Sequence, residues 1–309
     1  MKIIYLGNFM HSWCTENLMA RTLGRMGHEV IRIQECEADL YDVVEKANSS
    51  DLFLWSMTYG ELSLDGHKMM DAIKVPSATY HLDVFVGLTD REKMIKEHPF
   101  FRVNYFFTTD GDPRTMAKFK ELGVNAHYIP AASSKEECYI APAVKDLTHD
   151  IVFIGSRIYH REYPYRGVLI EYLRSVYKKR FCLYPEDRNM PIQSHQLNQL
   201  CSSSKIVIGD SFGAGDKKNY WSNRITETTA HGGFLIHPRV EGLEDHYTDK
   251  EDLVLYDHGD FRQLGDLIDY YLAHDEERET IRRNGMLKTK ANHTFDNVIE
   301  EMFKVMGIE

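Results

Sequence analysis

Short apolar runs and helix-like apolar periodicity alternate along the first part of the chain. The apolar runs predict strands at residues 2–7, 29–34, 51–56, 77–82, 105–109 and 126–129. Apolar positions three and four apart predict helices at residues 15–26, 39–47, 62–73, 90–97 and 113–122, the first with Thr15 as N-cap. Strict alternation of strand and helix is typical of a parallel sheet covered by helices on both faces.

The alternation lapses near residues 130–148 and then restarts. Strands are predicted at residues 150–154, 180–184, 205–209, 234–237 and 253–256. Helices are predicted at residues 165–178, 194–203, 222–231, 260–273, 275–290 and 295–306. The pattern predicts an α/β chain of two doubly wound domains in tandem, at residues 1–132 and 149–309. Ligands of such sheets bind at the carboxyl ends of the strands, and a cleft between two such domains is the expected active site.

The composition is that of a globular protein, with 309 residues of which 43% are hydrophobic and 27% charged. The net charge of -10 opposes a large interface with a phosphate backbone. The five cysteines are widely spaced without a C-x-x-C pair, which favours reduced thiols in a cytosol and opposes a zinc site. Because a signal-peptide pattern and a membrane-spanning apolar run are both lacking, we expect a cytoplasmic protein.

A candidate ligand-binding helix lies within residues 219–238. Ser222 or Asn223 is the expected N-cap, because a side-chain oxygen there accepts an orphan amide of the first turn. Gly232 is the expected residue just after the helix, since glycine adopts the left-handed conformation without penalty. The apolar run that follows predicts that this helix leads directly into a buried strand.

Arg224 and Glu227 lie three residues apart and therefore share one face of this helix. Arg224 and the helix amides suit a phosphate group, and Glu227 suits the hydroxyls of a ribose. A surface ion pair between the two side chains explains the same spacing and remains the alternative.

A second candidate site follows the first strand of the C-terminal half, where Gly155, Ser156 and Arg157 form a turn. Arg161 and Arg166 come next, so three arginines lie within ten residues. Glycine lets the backbone approach a phosphate, and arginine binds phosphate oxygens in a two-pronged fork. The segment therefore suggests an anion site, and a solvated basic turn is the alternative.

Candidate catalytic residues end the strands of the N-terminal half. Glu16 lies in the first turn of a helix, where it either compensates the helix dipole or contacts an acceptor. Strand alternation puts His81 and Asp83 on one side, and His81 is either a base, a hydrogen-bonding group for a substrate hydroxyl, or a structural histidine. Of the G-x-G-x-x-G fingerprint only Gly7 is present, which opposes classical dinucleotide binding.

Asp110 and Asp112 have the spacing of a metal-binding Asp-x-Asp triplet. They lie in the N-terminal half, away from the candidate phosphate site. Asp112 precedes Pro113, so it is interpreted as a helix N-cap with proline at the first helical position. No metal site is therefore expected.

Together these segments resemble the GT-B fold glycosyltransferases, specifically the "glycosyl transferases group 1" or CgeB-like branch, which includes phage-encoded members. The resemblance spans essentially the whole chain and is carried by R-I-T-E-T-T-A-H-G-G-F-L-I-H-P from Arg224, by Gly242-Leu243, and by residues 253–256 and 285–295. It implies two Rossmann-like domains facing a cleft. The acceptor would bind the first domain, the nucleotide sugar would bind the second, and the last helix would return to the first.

The resemblance also implies roles for individual residues. Glu227 would hold the ribose hydroxyls, Gly155 and Arg157 would meet the pyrophosphate, and His81 would lie beside the transferred sugar. The predicted catalytic residues are His81, Asp83 and Glu16. The predicted donor-binding residues are Gly155, Ser156, Arg157, Arg161, Asp210, Ser211, Asn219, Asn223, Arg224 and Glu227, of which Asp210 and Ser211 come from a glycine-rich loop without the P-loop order.

The sequence departs from the family pattern in two places. Retaining members carry two glutamates eight positions apart, and here Asn219 stands in place of the first, which leaves retention or inversion open. Arg161 or Arg166 stands in for the lysine that usually partners the arginine. GT-B enzymes neutralise the leaving diphosphate with arginines and helix N-termini, so the resemblance implies a reaction without a metal ion.

The expected activity is transfer of a sugar from a nucleoside diphosphate sugar, most simply a UDP-sugar, to an acceptor hydroxyl. A hydroxymethylated base in phage DNA is one acceptor, in the host cytoplasm, and a glycan, lipid or protein acceptor is the alternative. A non-catalytic module that binds a sugar nucleotide is a second hypothesis. A Rossmann-type oxidoreductase or epimerase is a third, and the missing glycine fingerprint opposes it.

Overall fold

The computed structural model describes residues 1–57, 62–157, 162–187 and 192–308. The chain divides into two compact units. Unit 1 comprises Met1–Pro130 with Phe295–Glu309, and unit 2 comprises Ala131–Thr294. In the described ranges, no helix combines the length and the apolar character that crossing a membrane requires.

Unit 1 is built on a six-stranded parallel sheet in the order β2-β1-β3-β4-β5-β6. Its strands are β1 (Lys2–Gly7), β2 (Glu29–Gln34), β3 (Leu52–Trp55), β4 (Ser77–His81), β5 (Tyr105–Thr108) and β6 (Ala126–Tyr128). Its helices are α1 (Thr15–Arg25), α2 (Leu40–Asn48), α3 (Gly66–Ala72), α4 (Thr89–Glu92), α5 (Met94–Glu97), α6 (Pro113–Glu121) and α12 (Phe295–Met306). The central strands are apolar on both faces because helices cover both sides of the sheet.

Unit 2 is built on a five-stranded parallel sheet in the order β11-β10-β9-β7-β8. Its strands are β7 (Ile151–Ile154), β8 (Phe181–Tyr184), β9 (Ile206–Ile208), β10 (Leu235–Pro238) and β11 (Val254–Tyr256). Its helices are α7 (Tyr165–Tyr177), α8 (His195–Ser203), α9 (Arg224–Ala230), α10 (Phe261–Ala273) and α11 (Asp275–Asn292). The predicted fold class, an α/β chain with two parallel sheets in tandem, is confirmed.

Three local predictions for unit 1 are corrected. Thr15 is not the N-cap of α1, because Cys14 occupies that position and makes no side-chain capping bond. The helix predicted at residues 62–73 begins only at Gly66, where the Asp65 carboxylate accepts the amides of the first turn. The helix predicted at residues 90–97 is two short helices, α4 and α5.

Helix α9 carries the residues that the sequence singled out, and its neighbours hold it firmly. It packs along α11, where the hydroxyl of Thr229 lies 2.6 Å from that of Thr289. The buried guanidinium of Arg282 on α11 donates to carbonyls at the end of α8 and to the carbonyl of Gly232. Buried hydrogen bonds of this kind fix the position of a helix because a displaced partner would remain unsatisfied.

Candidate functional site

A cleft of about 580 Å³ opens in unit 2 at the carboxyl ends of β7 and β8. This edge of a parallel sheet is where α/β units bind ligands. The polar side chains in its lining come from the turn after β7, from the segment after β8 and from the start of α9. They are Ser156, Arg157, Glu186, Gln193, Asn223, Arg224 and Glu227.

Both predicted cap candidates, Ser222 and Asn223, take part in the first turn of α9. Asn223 is at the N-cap position, but its side chain makes no capping bond. Instead the side-chain Nδ2 donates to Oε1 of Glu227 at 3.0 Å. Ser222 supplies the cap, since its hydroxyl oxygen accepts the amide of Arg224 at 3.3 Å. Because Asn223 is engaged in this way, it fixes the Glu227 carboxylate at the edge of the cleft. The helix itself is shorter than predicted and spans Arg224–Ala230.

Arg224 is held by the backbone of β7. Its Nη1 donates to the carbonyl oxygen of Ile154 at 2.6 Å. Among the described residues it makes no ion pair with Glu227, so the alternative of a surface ion pair is wrong. Gly155 has φ of +147°, which favours glycine, and a Cβ there would lie 3.4 Å from the Arg224 guanidinium carbon. Both residues therefore line the cleft in a fixed arrangement.

Arg157 reaches the cleft from the turn after β7 and is surrounded by carboxylates. It forms an ion pair with Glu171 and lies 3.8 Å from a carboxylate oxygen of Glu186. Glu186 also accepts from Arg174 at 3.2 Å. Exposed ion pairs contribute little in water, so an anionic ligand can replace these carboxylates as the partner of the Arg157 guanidinium at small energetic cost. The predicted residue Arg161 lies outside the described residues.

Asp210 and Arg166 form a buried ion pair behind the cleft. The side chains are 0% and 4% exposed, and Nε and Nη2 of Arg166 contact the carboxylate at 2.9–3.0 Å. Nη1 of Arg166 also donates to the carbonyl of Ser156 at 3.3 Å. The structure therefore gives both residues a positioning role, because Arg166 joins the loop after β9 to the turn after β7.

Ser211 belongs to a buried hydrogen-bond chain. Nδ1 of His237 donates to the carbonyl of Pro238, so Nε2 accepts from the Ser211 hydroxyl at 3.0 Å. The hydroxyl oxygen of Ser211 in turn accepts a hydrogen bond from the backbone amide of Ser222 at 2.8 Å. Burial lowers the pKa of His237 to about 4, so the imidazole that takes part in these hydrogen bonds is neutral. Ser211 thereby ties the segment before α9 to β10.

Asn219 does not lie in the cleft lining. Its backbone has φ of +50°, and its amide donates to the carbonyl of Glu241 at 2.8 Å. Its side chain occupies the space beside Gly242, where an added Cβ would overlap the Asn219 Oδ1 atom. The residue that stands in place of the first family glutamate is thus part of a turn.

The C-terminal end of α9 agrees with the sequence prediction. Gly232 follows the C-cap residue with φ of +66°. The amide of Gly233 donates to the Thr228 carbonyl at 2.8 Å, and the amide of Gly232 donates to the Thr229 carbonyl at 3.0 Å. This is the hydrogen-bond pattern of a Schellman motif, and it ends the helix directly before β10.

We expect the substitution Gly232→Ala to destabilise the protein by about 1–3 kcal/mol. The left-handed backbone strains any residue with a Cβ, and a Cβ here would lie 2.8 Å from Ile140 and 3.0 Å from the Ser202 hydroxyl. Gly259→Ala is the matched control, because Gly259 has φ of +88° and nothing within 4 Å of an added Cβ. Urea unfolding should show a larger loss for Gly232→Ala than for the control, and equal losses would contradict the role of the contacts.

Glu16 in unit 1 has an unusual electrostatic environment. It lies over the end of β1, where a Cβ on Gly7 would come within 2.8 Å of the Glu16 side chain. Burial raises the pKa of Glu16 to about 7, and the carboxylate of Glu35 adds to the rise. Glu35 is itself fully buried and accepts from the Trp55 indole at 2.8 Å. Glu16 therefore exchanges a proton near neutral pH, as a general base requires.

His81 is packed among aromatic rings at the end of β4. The ring centroids of Phe85 and Phe100 lie 4.8 and 5.4 Å from its own. Burial lowers the pKa of His81 to about 4, so its imidazole is neutral and weakly basic at neutral pH. Because β4 ends at His81, strand alternation does not place Asp83, whose carboxylate lies 3.5 Å from Arg91.

The Asp-x-Asp spacing has a structural explanation, as expected. Asp112 caps α6 by accepting the amide of Arg114, and Pro113 is the first helical residue. The carboxylate of Asp110 accepts from the Thr115 hydroxyl at 2.9 Å. Throughout the described parts of the chain, no group of three or more His, Cys, Asp or Glu side chains is arranged to hold a metal ion.

One wall of the cleft was not found from the sequence. Tyr184 ends β8 and Pro185 follows it, while Ile192, from the segment before α8, and Leu197, in the first turns of α8, line the same cleft. These residues form an apolar surface next to the polar edge at Glu227. Apolar residues after a strand resemble ordinary core positions, and Pro185 directly after the predicted strand was the one available indication of a loop wall.

Comparison with known proteins identifies the architecture. The sequence profile of a family described as glycosyl transferase-like matches residues 139–304. No curated protein matches the sequence. Two similar solved structures are Anabaena Alr3699/HepE in complex with UDP-glucose (TM-score 0.67, 11% identity, 99% of each chain) and the DNA modifying enzyme β-glucosyltransferase (TM-score 0.61, 13% identity, 100% of each chain).

A third similar structure is sucrose-phosphate synthase from Thermosynechococcus elongatus, with a TM-score of 0.61, 11% identity and coverage of 99% of this chain and 98% of that one. At such low identity the similarity shows the fold alone. The similar structures are glycosyltransferases with two parallel-sheet α/β domains, which confirms the predicted GT-B fold class.

Proposed function

The chain belongs to the glycosyl transferase-like family, and on that premise we propose that it transfers a sugar from a UDP-sugar to an acceptor hydroxyl. The observation that carries the proposal is the cleft of unit 2, where Glu227, Arg224 and Arg157 line one continuous surface. A carboxylate fixed by Asn223 and two guanidinium groups match the hydroxyls and phosphates of a nucleoside diphosphate. HepE, one of the similar structures, was solved in complex with UDP-glucose.

The nucleoside would occupy the apolar side of the cleft. Pro185, supported by the buried side chains of Tyr184 and Ile192, offers a surface for the flat face of the base. Glu227 would accept hydrogen bonds from the ribose hydroxyls with its carboxylate, whose Oε1 also accepts from the side chain of Asn223. A carboxylate that accepts from two adjacent hydroxyls also distinguishes ribose from deoxyribose.

The diphosphate would bind where Gly155, Arg157 and Arg224 meet. Gly155 brings the backbone close to the ligand, while the two guanidinium groups donate to the phosphate oxygens. When the glycosidic bond breaks, negative charge grows on the leaving diphosphate, and fixed cations stabilise that charge. We propose that these arginines perform this role in place of a metal ion.

Glu16 is the best-suited base for the acceptor hydroxyl. A carboxylate with a pKa of about 7 accepts a proton far more readily than one with the ordinary value near 4.5. His81, with a pKa of about 4, is a weaker base and is packed among phenylalanines. We assign proton removal to Glu16 and assign His81 to the support of the strand end.

Two classes of acceptor are candidates, and a different observation supports each of them. The structural similarity to a DNA modifying β-glucosyltransferase supports DNA as the acceptor, with a hydroxymethylated base as the predicted group. The net charge of -10 opposes binding of a polyanion and favours an uncharged acceptor such as a glycan. Membership of the CgeB-like branch, a phage origin and a cytoplasmic location stay predictions.

The substitution Glu227→Ala should weaken UDP binding by about 10- to 100-fold, because hydrogen bonds to a charged group contribute about 1.5–3 kcal/mol. Isothermal titration calorimetry with UDP measures the change. The matched control is Glu251→Ala, which removes an exposed carboxylate of unit 2 outside the cleft lining. A folded Glu227→Ala variant with the affinity of the wild type would refute the donor site.

A further inference from the structure

The loop between β1 and α1 exposes an aromatic stack. The rings of His11 and Trp13 lie parallel, with 4.6 Å between centroids and 2° between planes. Trp13 is 42% exposed and Met10 is 68% exposed. The chain has three tryptophans, and the other two are at most 2% exposed. The two parallel rings present a partly exposed flat face on which another ring can stack.

Side-chain hydrogen bonds hold the backbone of this loop in place. The side-chain amide of Asn17, which is buried, donates to the carbonyls of Phe9 at 3.0 Å and His11 at 2.8 Å. Its oxygen accepts from Arg32 at 3.0 Å, so both ends of the amide are engaged. The amide of Phe9 also donates to the Gln34 side chain at 2.7 Å. The exposed rings are thus carried by a fixed backbone, which reduces the entropy lost when a ligand binds.

The loop leads directly to the proposed base. Glu16 follows Trp13 by three residues and lies in the first turn of α1. The same short segment therefore carries an exposed aromatic surface and a carboxylate with a pKa of about 7.

The charges near the loop select the kind of ring. The carboxylate of Glu35 is close enough to Glu16 to raise its pKa, and the exposed Glu37 lies in the same short turn as Glu35. The guanidinium of Arg32 is engaged with Asn17. An acidic neighbourhood repels the phosphates of a nucleic acid. The C–H face of a neutral sugar ring, by contrast, stacks on tryptophan without a charge penalty.

We propose that the His11–Trp13 stack, with Met10 beside it, is the acceptor platform and that its ligand is the ring of a neutral carbohydrate. The inference rests on the proposed function, because it assigns the acceptor of that same reaction. It predicts that Trp13 selects the acceptor and that it does so through its aromatic ring.

The test compares wild type, Trp13→Ala, Trp13→Phe and Tyr41→Ala on an array of neutral and acidic oligosaccharides, with UDP present. Tyr41 is 82% exposed on α2, so Tyr41→Ala is the matched removal of an exposed aromatic ring in unit 1. A single-stranded oligonucleotide with hydroxymethylcytosine is added as a separate probe. Stabilisation of each variant by UDP, measured by thermal unfolding, checks that it is folded and retains the donor site.

We expect the wild type and Tyr41→Ala to bind a set of neutral glycans that Trp13→Ala binds about tenfold more weakly or worse, with Trp13→Phe in between. Equal glycan binding by wild type and Trp13→Ala would overturn the platform. Binding of the oligonucleotide alone, or of no neutral glycan, would overturn the carbohydrate assignment. Failure of UDP to stabilise any variant would count against the proposed donor instead, so the two proposals fail separately.

Discussion

Replacement of Glu16 by glutamine should reduce kcat by about 10²- to 10⁴-fold, the usual contribution of a positioned general base. Glutamine has nearly the same size as glutamate and cannot take a proton from the acceptor hydroxyl. UDP binding should remain at the wild-type level, because the proposed donor site is formed by residues of unit 2. Initial rates and UDP titration of the same variant separate the two effects.

The pH dependence provides a second signature of Glu16 in the same experiment. The wild-type rate should rise with pH through about 7, where the carboxylate loses its proton, and the Glu16→Gln variant should lack this rise. The folded pKa lies above the ordinary value of 4.5, so the folded state holds a proton that the unfolded state releases between these values. The stability of the wild type should therefore fall as pH rises from about 4.5 through 7, and Glu16→Gln should be the more stable protein above pH 7.

Glu45→Gln is the matched control, because Glu45 is an exposed carboxylate of unit 1 on α2. It should keep the wild-type rate and pH profile. A Glu16→Gln variant with wild-type kcat would show that another group removes the proton. A lost rate without any change in the pH profile of stability would show that the raised pKa of Glu16 is not the property that catalysis uses.

The substitution Asp210→Ala should destabilise the protein by about 3–5 kcal/mol, which is the largest stability effect that we expect. It leaves the Arg166 guanidinium buried without its carboxylate, in a site where both side chains are at most 4% exposed. The turn at Ser156, which Arg166 contacts, should loosen at the same time. Urea unfolding measures the loss of stability.

Two variants make the prediction for the buried pair specific. Glu241→Ala removes one partner of the exposed pair with Lys218 and should cost less than about 1 kcal/mol. The double variant Arg166→Met with Asp210→Leu should recover much of the lost stability, because it removes both buried charges together. If Asp210→Ala costs no more than Glu241→Ala, the buried pair is not a determinant of stability.

The fold was predictable because its determinants are local and periodic. The strands of both units are short apolar runs that helices cover on both sides, so strand and helix patterns alternate along most of the chain. The end of α9 was predictable for the same reason, since Gly232 supplies the positive φ that a Schellman motif requires. The start of α9 was harder to predict, because Ser222 and Asn223 are both good caps. In the structure Ser222 caps the helix, while the side chain of Asn223 donates to Glu227.

The candidate site was predictable only where spacing alone fixes geometry. Arg224 and Glu227 share a helix face by their separation, and both line the cleft. Asp210 and Ser211 also looked like ligand-binding residues, but their partners, Arg166 and His237, are distant in sequence. A polar residue after a strand suits a ligand or a buried partner equally well, and only the tertiary structure distinguishes them.

The properties of Glu16 and His81 depend on burial, which a residue's type does not reveal. Glu16 could be interpreted as simple compensation of the helix dipole, yet burial raises its pKa to about 7. His81 appeared to be the better catalytic candidate, yet its neighbours are phenylalanine rings and its pKa is lowered to about 4. In both residues desolvation is the largest cause of the shift, and desolvation is a property of the packed structure.

The most direct test of the donor assignment is thermal unfolding of the wild-type protein with UDP and UDP-glucose, in parallel with ADP and GDP. A ligand present at about a hundred times its dissociation constant stabilises the folded state by about 2.7 kcal/mol, which gives a clear shift in Tm. We predict a shift with the uridine nucleotides that exceeds any shift with ADP or GDP. No shift with either uridine nucleotide would contradict the assignment of the unit 2 cleft as a UDP-sugar site.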